Sequence, residues 1–186
     1  MNIECDADGR DALYQDLLAQ AHGLPNSEIL ACMFATWVCG GGVLPDGLGL
    51  MPAQFQRLRT HYFPHASAVY RGDLDPARAE ERGEIRDLLA HHRAGRHESE
   101  SWLAAIVAAA CMGGDHLWQD LGLGLRHQLS ELMQYNFPSL AVRNTKDMKW
   151  KRFLYKQLCT IEGIHACRSP SCEICIDYVV CFGSEI

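Results

Sequence analysis

The chain has 186 residues, 48% of them apolar, and its formal net charge at pH 7 is −6. A chain of this length and composition buries enough apolar surface to build one domain, which excludes an intrinsically disordered protein. Its longest apolar runs are shorter than the roughly 20 residues that cross a bilayer, and its acidic start lacks the pattern of a secretory signal, so we expect a cytoplasmic protein without a membrane partner.

The first helical pattern begins near the N-terminus. Residues 8–23 place leucines on one face and end at a glycine, and residues 25–42 form an apolar stretch that stops at three glycines. Residues 51–64 are bounded by Pro52 and Pro64, as in a short helix. The first third of the sequence therefore predicts three helices.

The middle of the chain continues the pattern. Residues 74–95 predict a helix with one charged side, and residues 98–114 are nearly apolar throughout, which is typical of a central buried helix. Residues 115–138 predict one short and one longer helix, split near Gly122 and Gly124.

A last amphipathic helix spans residues 144–163. Its spacing directs four apolar side chains inward and its lysines outward, the inward set being Met148, Phe153, Leu154 and Leu158. The sequence therefore predicts an all-α fold, an irregular bundle of about six helices. We expect a helical domain at residues 1–160 and a C-terminal cysteine-rich metal-binding loop at residues 161–186.

The basic residues are unevenly distributed. Residues 1–142 carry 10 Arg and 18 Asp or Glu, whereas residues 143–168 carry seven basic and two acidic residues and all four lysines of the chain. Such a basic segment is compatible with binding of nucleic acid, an acidic partner or an oxyanion, and equally with a solvated helix face.

Four cysteines fall within fifteen residues near the C-terminus, with the spacing C-x4-C-x2-C-x5-C: Cys167, Cys172, Cys175 and Cys181. Disulfides are disfavoured because cytoplasmic thiols are kept reduced and the chain has nine cysteines, an odd number. Zinc ribbons usually divide their ligands into two separated close pairs, whereas the first three cysteines here match the start of one ferredoxin motif. The spacing favours an iron-sulfur cluster and leaves a structural zinc site open.

The remaining cysteines lie upstream. Three in apolar helical stretches are predicted to be small buried core residues: Cys32, Cys39 and Cys111. Cys159 and His165 precede the motif by eight and two residues, so both could reach the same site, although ordinary packing is the favoured interpretation of each.

Three stretches resemble the NifQ family of nitrogen-fixation proteins: "DHLWQDLGL", "MKWKRFLYKQLC" and "GIHACRSPSCEICIDYVVCFG". They extend over residues 115–183, and the spacing of the four cysteines is the family's own. The resemblance implies an iron-sulfur molybdoprotein that carries molybdenum and donates it for biosynthesis of the nitrogenase iron-molybdenum cofactor, and not an enzyme.

The same resemblance implies a site and partners. It assigns the cluster to Cys167, Cys172, Cys175 and Cys181, as a molybdenum-iron-sulfur cluster of the Mo-3Fe-4S type or its 4Fe-4S precursor. The implied partners are molybdate, the nitrogenase iron protein and the scaffold complex on which the cofactor is assembled. Molybdenum also favours nitrogen and oxygen ligands, which makes three further residues candidates: Asp115, His116 and His165.

Two alternatives belong to other functional classes. A plain 4Fe-4S cluster in the loop would make the chain an electron-transfer protein. A zinc ion bound by the same cysteines would instead fix the loop in a zinc-stapled interaction module. Nucleic acid is not expected as a partner because the overall charge is acidic and no aromatic stacking platform accompanies the lysines.

Overall fold

The computed structural model describes residues 7–67 and 78–162, with Glu162 described by its backbone alone. These residues form nine helices and no strand, which confirms the predicted all-α fold. Seven helices have eleven residues or more: α1 Ala7–Gln20, α2 Ser27–Val38, α3 Pro52–Tyr62, α4 Ala79–His91, α5 Ser99–Ala110, α7 Arg126–Asn136 and α9 Trp150–Glu162. Two are single turns, α6 Leu117–Asp120 and α8 Pro138–Ala141, and a 3-10 turn spans Asp46–Gly49. The predicted cysteine loop lies outside the described residues.

Helix α5 is the centre of the bundle, as its apolar composition predicted. Every residue of it except Ser101 is buried, and it packs against α4, α3, α6 and the 3-10 turn. A helix that is apolar on nearly all sides must be covered on all sides, which explains why the other elements surround it. Within the described ranges, no helix has both the length and the apolar character needed to cross a bilayer.

Aromatic rings join α2 to α3. Phe34 of α2 contacts Phe55 of α3 and Phe63 just beyond it, with ring centroids 6.1 and 4.9 Å apart, and Trp37 meets Phe55 edge-on at 5.5 Å. Such pairs stabilise a core beyond the area that they bury. Around them the buried residues form one continuous hydrophobic core that runs from α1 to α9.

Two glycines permit close backbone approach. Gly49 (φ +77°) lies so near α5 that a Cβ atom there would be 2.4 Å from Cβ of Ala109. Gly122 (φ +72°) follows α6, and its carbonyl accepts a hydrogen bond of 2.9 Å from Thr36 Oγ1, while a Cβ atom would clash with the same threonine. The predicted break between α6 and α7 is therefore confirmed at a position where only glycine fits without strain.

The described core accounts for the helical domain without the cysteine segment. We expect a chain truncated after Glu162 to remain folded, to keep its helical circular dichroism signal and to melt cooperatively, because the buried residues from α1 to α9 already pack into one cluster. Loss of the cooperative transition on truncation would show instead that metal binding supplies folding energy, as in a structural zinc site.

Candidate functional site

Helix α9 is the described element that leads into the predicted cluster motif. The four predicted cluster ligands Cys167, Cys172, Cys175 and Cys181 follow it, and with His165 they lie outside the described residues. What the structure describes is α9, its anchors and the side chains on its outer face.

The inner face of α9 packs as its spacing predicted. Phe153, Leu154 and Leu158 are buried in the core, and Met148, just before the helix, is partly buried against it. Trp150 is buried as well and donates a 3.0 Å hydrogen bond from Nε1 to Ser130 Oγ of α7. The helix is therefore held along its length by apolar contacts.

Lys151 contradicts the prediction that the lysines of α9 point outward. Its side chain is buried, and Nζ donates to Asp120 Oδ2 at 2.5 Å, to the carbonyl oxygen of Asp115 at 2.7 Å and to that of Gly113 at 3.0 Å. All three ammonium protons thus have an acceptor, which is the condition under which a buried lysine is tolerated. This lysine is a structural anchor of α9.

Asp120, the partner of Lys151, is the last residue of α6, and its side chain is 0% exposed. Its second oxygen, Oδ1, accepts a 3.3 Å hydrogen bond from the backbone N–H of Asp115. Burial raises the pKa of the Asp120 carboxyl, while the Lys151 ammonium and the Asp115 amide oppose that rise. The ion pair therefore depends on both partners, since either charge alone would be buried without compensation.

Tyr155 forms a second polar anchor, one turn after Lys151. Its ring is fully buried, and its hydroxyl oxygen accepts a 3.4 Å hydrogen bond from Arg78 Nη2. Arg78 also donates to the carbonyl oxygen of Met112 at 2.5 Å and pairs with Glu81 of α4 at 3.1 Å. Both anchors thus tie α9 to the segment that follows α5, and burial raises the pKa of Tyr155.

Three cationic side chains mark the outer face of α9. Lys149 immediately precedes α9, and Arg152 and Lys156 follow it at intervals of three and four residues, so the three side chains share one side of the first turns of the helix. Lys156 is exposed and the other two are half-buried. With Lys151 removed from the set, the predicted basic face contains three cations.

The loop between α5 and α6 contains two of the predicted molybdenum ligands. Asp115 is exposed and His116 is half-buried, and the backbone around them is fixed by Lys151 and Asp120. In the portions of the chain that the structure describes, no three His, Cys, Asp or Glu side chains come together as a metal site. Asp115 and His116 therefore remain candidates whose further ligands would have to come from elsewhere.

The upstream cysteines differ in burial. Cys111 is fully buried, as predicted, and burial raises the pKa of its thiol to about 12, which makes the reactive thiolate scarce. Cys32 and Cys39 are only half-buried, which differs from the prediction of buried core residues. Cys39 forms a disulfide bond, so the expectation that the cysteines stay unpaired is wrong at this residue. Cys159 is buried on α9.

The sequence contained a signal for Lys151 that the prediction missed. Counted from Lys151, the buried residues Leu154, Tyr155 and Leu158 lie three, four and seven positions further on, so this lysine belongs to the inner face. The burial of Asp120 had no comparable signal, because its partner lies 31 residues away in sequence.

Comparisons with known proteins show that the chain is similar to NifQ proteins. The NifQ family model matches residues 29–183. Protein NifQ of Azotobacter vinelandii is 46% identical over 161 residues, covering 79% of this chain and 83% of the relative. Protein NifQ of Klebsiella pneumoniae is 33% identical over 171 residues, covering 86% and 99%. That of Rhodobacter capsulatus is 37% identical over 160 residues, covering 84% and 87%. No solved structure matches the chain.

Proposed function

Because the chain belongs to the NifQ family, whose members take part in nitrogen fixation, we propose that it carries molybdenum and donates it for assembly of the nitrogenase iron-molybdenum cofactor. The cargo is a molybdenum-iron-sulfur cluster held by Cys167, Cys172, Cys175 and Cys181. The observation that carries the proposal is the match to the family model, which extends through all four cysteines to residue 183.

The chemistry of the four cysteines suits this cargo. Thiolates are soft ligands that hold iron-sulfur clusters, and each binds only after losing its proton. Four thiolates in fifteen residues concentrate negative charge, which disfavours the approach of molybdate, a dianion. The cations on the outer face of α9 precede this segment in the chain and offset part of that charge.

The described architecture also suits a carrier. Helix α9 is fixed to the bundle by its apolar face and by the anchors at Lys151 and Tyr155, so the segment that follows starts from a rigid base. The buried residues from α1 to α9 pack into one hydrophobic core. Release of the cargo would therefore leave that core intact, as a donor requires. In this proposal the chain is a carrier and not an enzyme, and it acts in the cytoplasm.

Charge reversal on α9 tests the route of molybdate. Lys149→Glu together with Lys156→Glu is expected to lower molybdenum loading several-fold at low salt, while iron content and the free energy of unfolding stay close to wild type. The difference should shrink as ionic strength rises, because exposed charges are screened beyond about 8 to 10 Å at 0.10 to 0.15 M salt. Molybdenum and iron per chain, measured after anaerobic loading with molybdate, report the effect.

The matched control places the same charge change elsewhere. Arg10→Glu together with Arg86→Glu alters two exposed arginines of α1 and α4, which pair with the neighbouring carboxylates of Asp11 and Asp87. Equal loading of both double variants at low salt would remove the α9 cations from the mechanism and leave them as a solvated helix face.

Transfer is the second half of the proposal. Protein loaded with molybdenum is expected to lose it to the cofactor scaffold complex in the presence of the nitrogenase iron protein. A loaded protein that retains its molybdenum through this incubation would contradict the donor role. A cluster of iron and sulfide that cycles reversibly by one electron, without molybdenum, would favour the electron-transfer alternative.

A further inference from the structure

A preformed groove lies on the outer side of α7 and α8, separate from the anchors of α9. Its volume is about 660 Å³, and its lining includes Arg96 from the turn before α5, Glu131 and Tyr135 from α7, and Pro138 from α8. Val142 lies four residues after Pro138 and is 72% exposed. Tyr135, Pro138 and Val142 thus give this side of the molecule an apolar strip.

The cation in this groove is held in place. The guanidinium of Arg96 stacks 4.2 Å from the centroid of the Tyr135 ring, and it donates a hydrogen bond to the carbonyl oxygen of the same tyrosine. The His97 ring is nearly parallel to the Tyr135 ring, with the centroids 6.3 Å apart and the planes 12° apart, and its Nε2 lies 3.3 Å from the tyrosine hydroxyl. An arginine fixed in this way loses little side-chain entropy when it binds a carboxylate, and its remaining N–H groups are suited to a bidentate contact.

The backbone that carries Arg96 is equally fixed. The buried carboxylate of Glu100 accepts hydrogen bonds from three consecutive backbone amides, those of Gly95, Arg96 and His97, at 2.6, 2.9 and 3.2 Å. The amide of Ala94 donates to the carbonyl oxygen of Asn136 at the end of α7, at 2.9 Å. The turn is therefore locked to α7, and the groove is preorganised before any partner arrives.

Two more exposed arginines lie near the junction of this turn with α8. Arg93 follows His92, whose Nδ1 is 2.8 Å from Ser139 Oγ of α8, and Arg143 follows the same helix, with its amide 3.0 Å from the carbonyl oxygen of Leu140. In the groove lining itself, Arg96 is the cation and Glu131 the carboxylate. The formal net charge of the chain is −6, so a cluster of three arginines is a distinctive feature of this acidic protein. An occupant with carboxylates and apolar side chains fits it, while a bare oxyanion would leave the apolar strip uncovered.

We propose that this face, formed by Arg96, Tyr135, Pro138 and Val142, docks an acidic segment of the protein that exchanges metal with this chain. The identity of the partner rests on the proposed function, whereas the chemistry of the contact rests on the residues of the groove. Carboxylates of the partner pair with Arg96 and with the flanking arginines, and its apolar side chains cover Tyr135, Pro138 and Val142. Docking here leaves the outer face of α9 to molybdate.

Binding measurements on the full-length chain test the inference. The nitrogenase iron protein and the scaffold complex serve as the probes, each immobilised and titrated with wild type, Arg96→Glu, Val142→Asp and the control Arg10→Glu. We expect wild type to bind one probe, the two groove variants to bind it about tenfold more weakly or worse, and the control to stay within twofold. Because the altered side chains are exposed, all variants should melt like wild type.

Three outcomes would overturn the inference: wild-type affinity in both groove variants, binding of neither probe by wild type, or displacement of the bound chain by duplex DNA or by anionic vesicles. Metal content is measured on the same preparations. A chain that holds molybdenum but does not use this face therefore refutes the docking surface alone, whereas a chain without molybdenum refutes the proposed function.

Discussion

Lys151→Met is expected to destabilise the helical domain by about 3 to 5 kcal/mol, because it leaves the buried Asp120 carboxylate without its counter-charge. The carbonyl oxygens of Gly113 and Asp115 lose their donor in the same step. Since 1 kcal/mol corresponds to roughly 2 to 4 °C in a domain of this size, Tm should fall by about 6 to 20 °C. Thermal and urea unfolding, followed by circular dichroism, measure the effect.

Lys156→Met provides the matched control, since Lys156 lies on the same helix but is exposed. It should change the free energy of unfolding by no more than about 0.5 kcal/mol. The double variant Lys151→Met with Asp120→Leu should recover much of the stability, because no charge then remains buried. Equal stability of the Lys151 and Lys156 variants would contradict the anchoring role.

The pH dependence of the Lys151 variant follows from Asp120. Loss of the ammonium removes a group that lowers the pKa of Asp120, so the folded variant keeps that carboxyl protonated at higher pH than the unfolded chain does. A carboxyl whose folded pKa is raised stabilises the fold as pH falls from the folded pKa toward the ordinary value near 4. The stability deficit of the variant should therefore shrink as pH is lowered from 7 toward 5.

Cys172→Ser and Cys175→Ser are expected to abolish cluster binding, because a serine hydroxyl stays protonated where a thiolate is required. Iron and sulfide per chain should fall to near zero under anaerobic reconstitution, and the brown colour should be lost. The helical signal should stay close to wild type, because the described residues from α1 to α9 already pack into one hydrophobic core.

Cys32→Ser is the control for this experiment. Cys32 is a half-buried thiol on α2, where its Sγ contacts the carbonyl oxygen of Gly122 at 3.5 Å, and the proposal gives it no role in the cluster. The variant should therefore retain full iron and sulfide content. Wild-type cluster content in the Cys172 and Cys175 variants would remove these residues from the ligand set.

Local signals in the sequence were sufficient for the helices. The apolar run of α5 specified a buried central helix, and the glycines after α6 specified where the next break falls. These features depend on residues within a few turns of one another, so periodicity and turn chemistry reveal them. Cys111 was likewise predictable as a core residue because it ends an apolar helix.

Long-range polar contacts were not predictable in the same way. The lysine-rich pattern of α9 indicated an outward cationic face, yet Lys151 is drawn inward by Asp120, which comes from a helix 31 residues earlier. The groove beside α7 depends on the hydrogen bonds that three backbone amides donate to Glu100. It also depends on the contact between Arg96 and Tyr135, which are 39 residues apart in sequence. Pairings of this kind depend on the tertiary arrangement, which local propensity does not encode.

The metal content of the intact protein tests the central claim most directly. The chain is purified anaerobically from cells supplied with molybdate, and molybdenum, iron, zinc and acid-labile sulfide are measured per chain. We expect molybdenum together with iron and sulfide, and the loss of all three in Cys172→Ser. Zinc as the only bound metal, or iron and sulfide without molybdenum, would contradict the central claim.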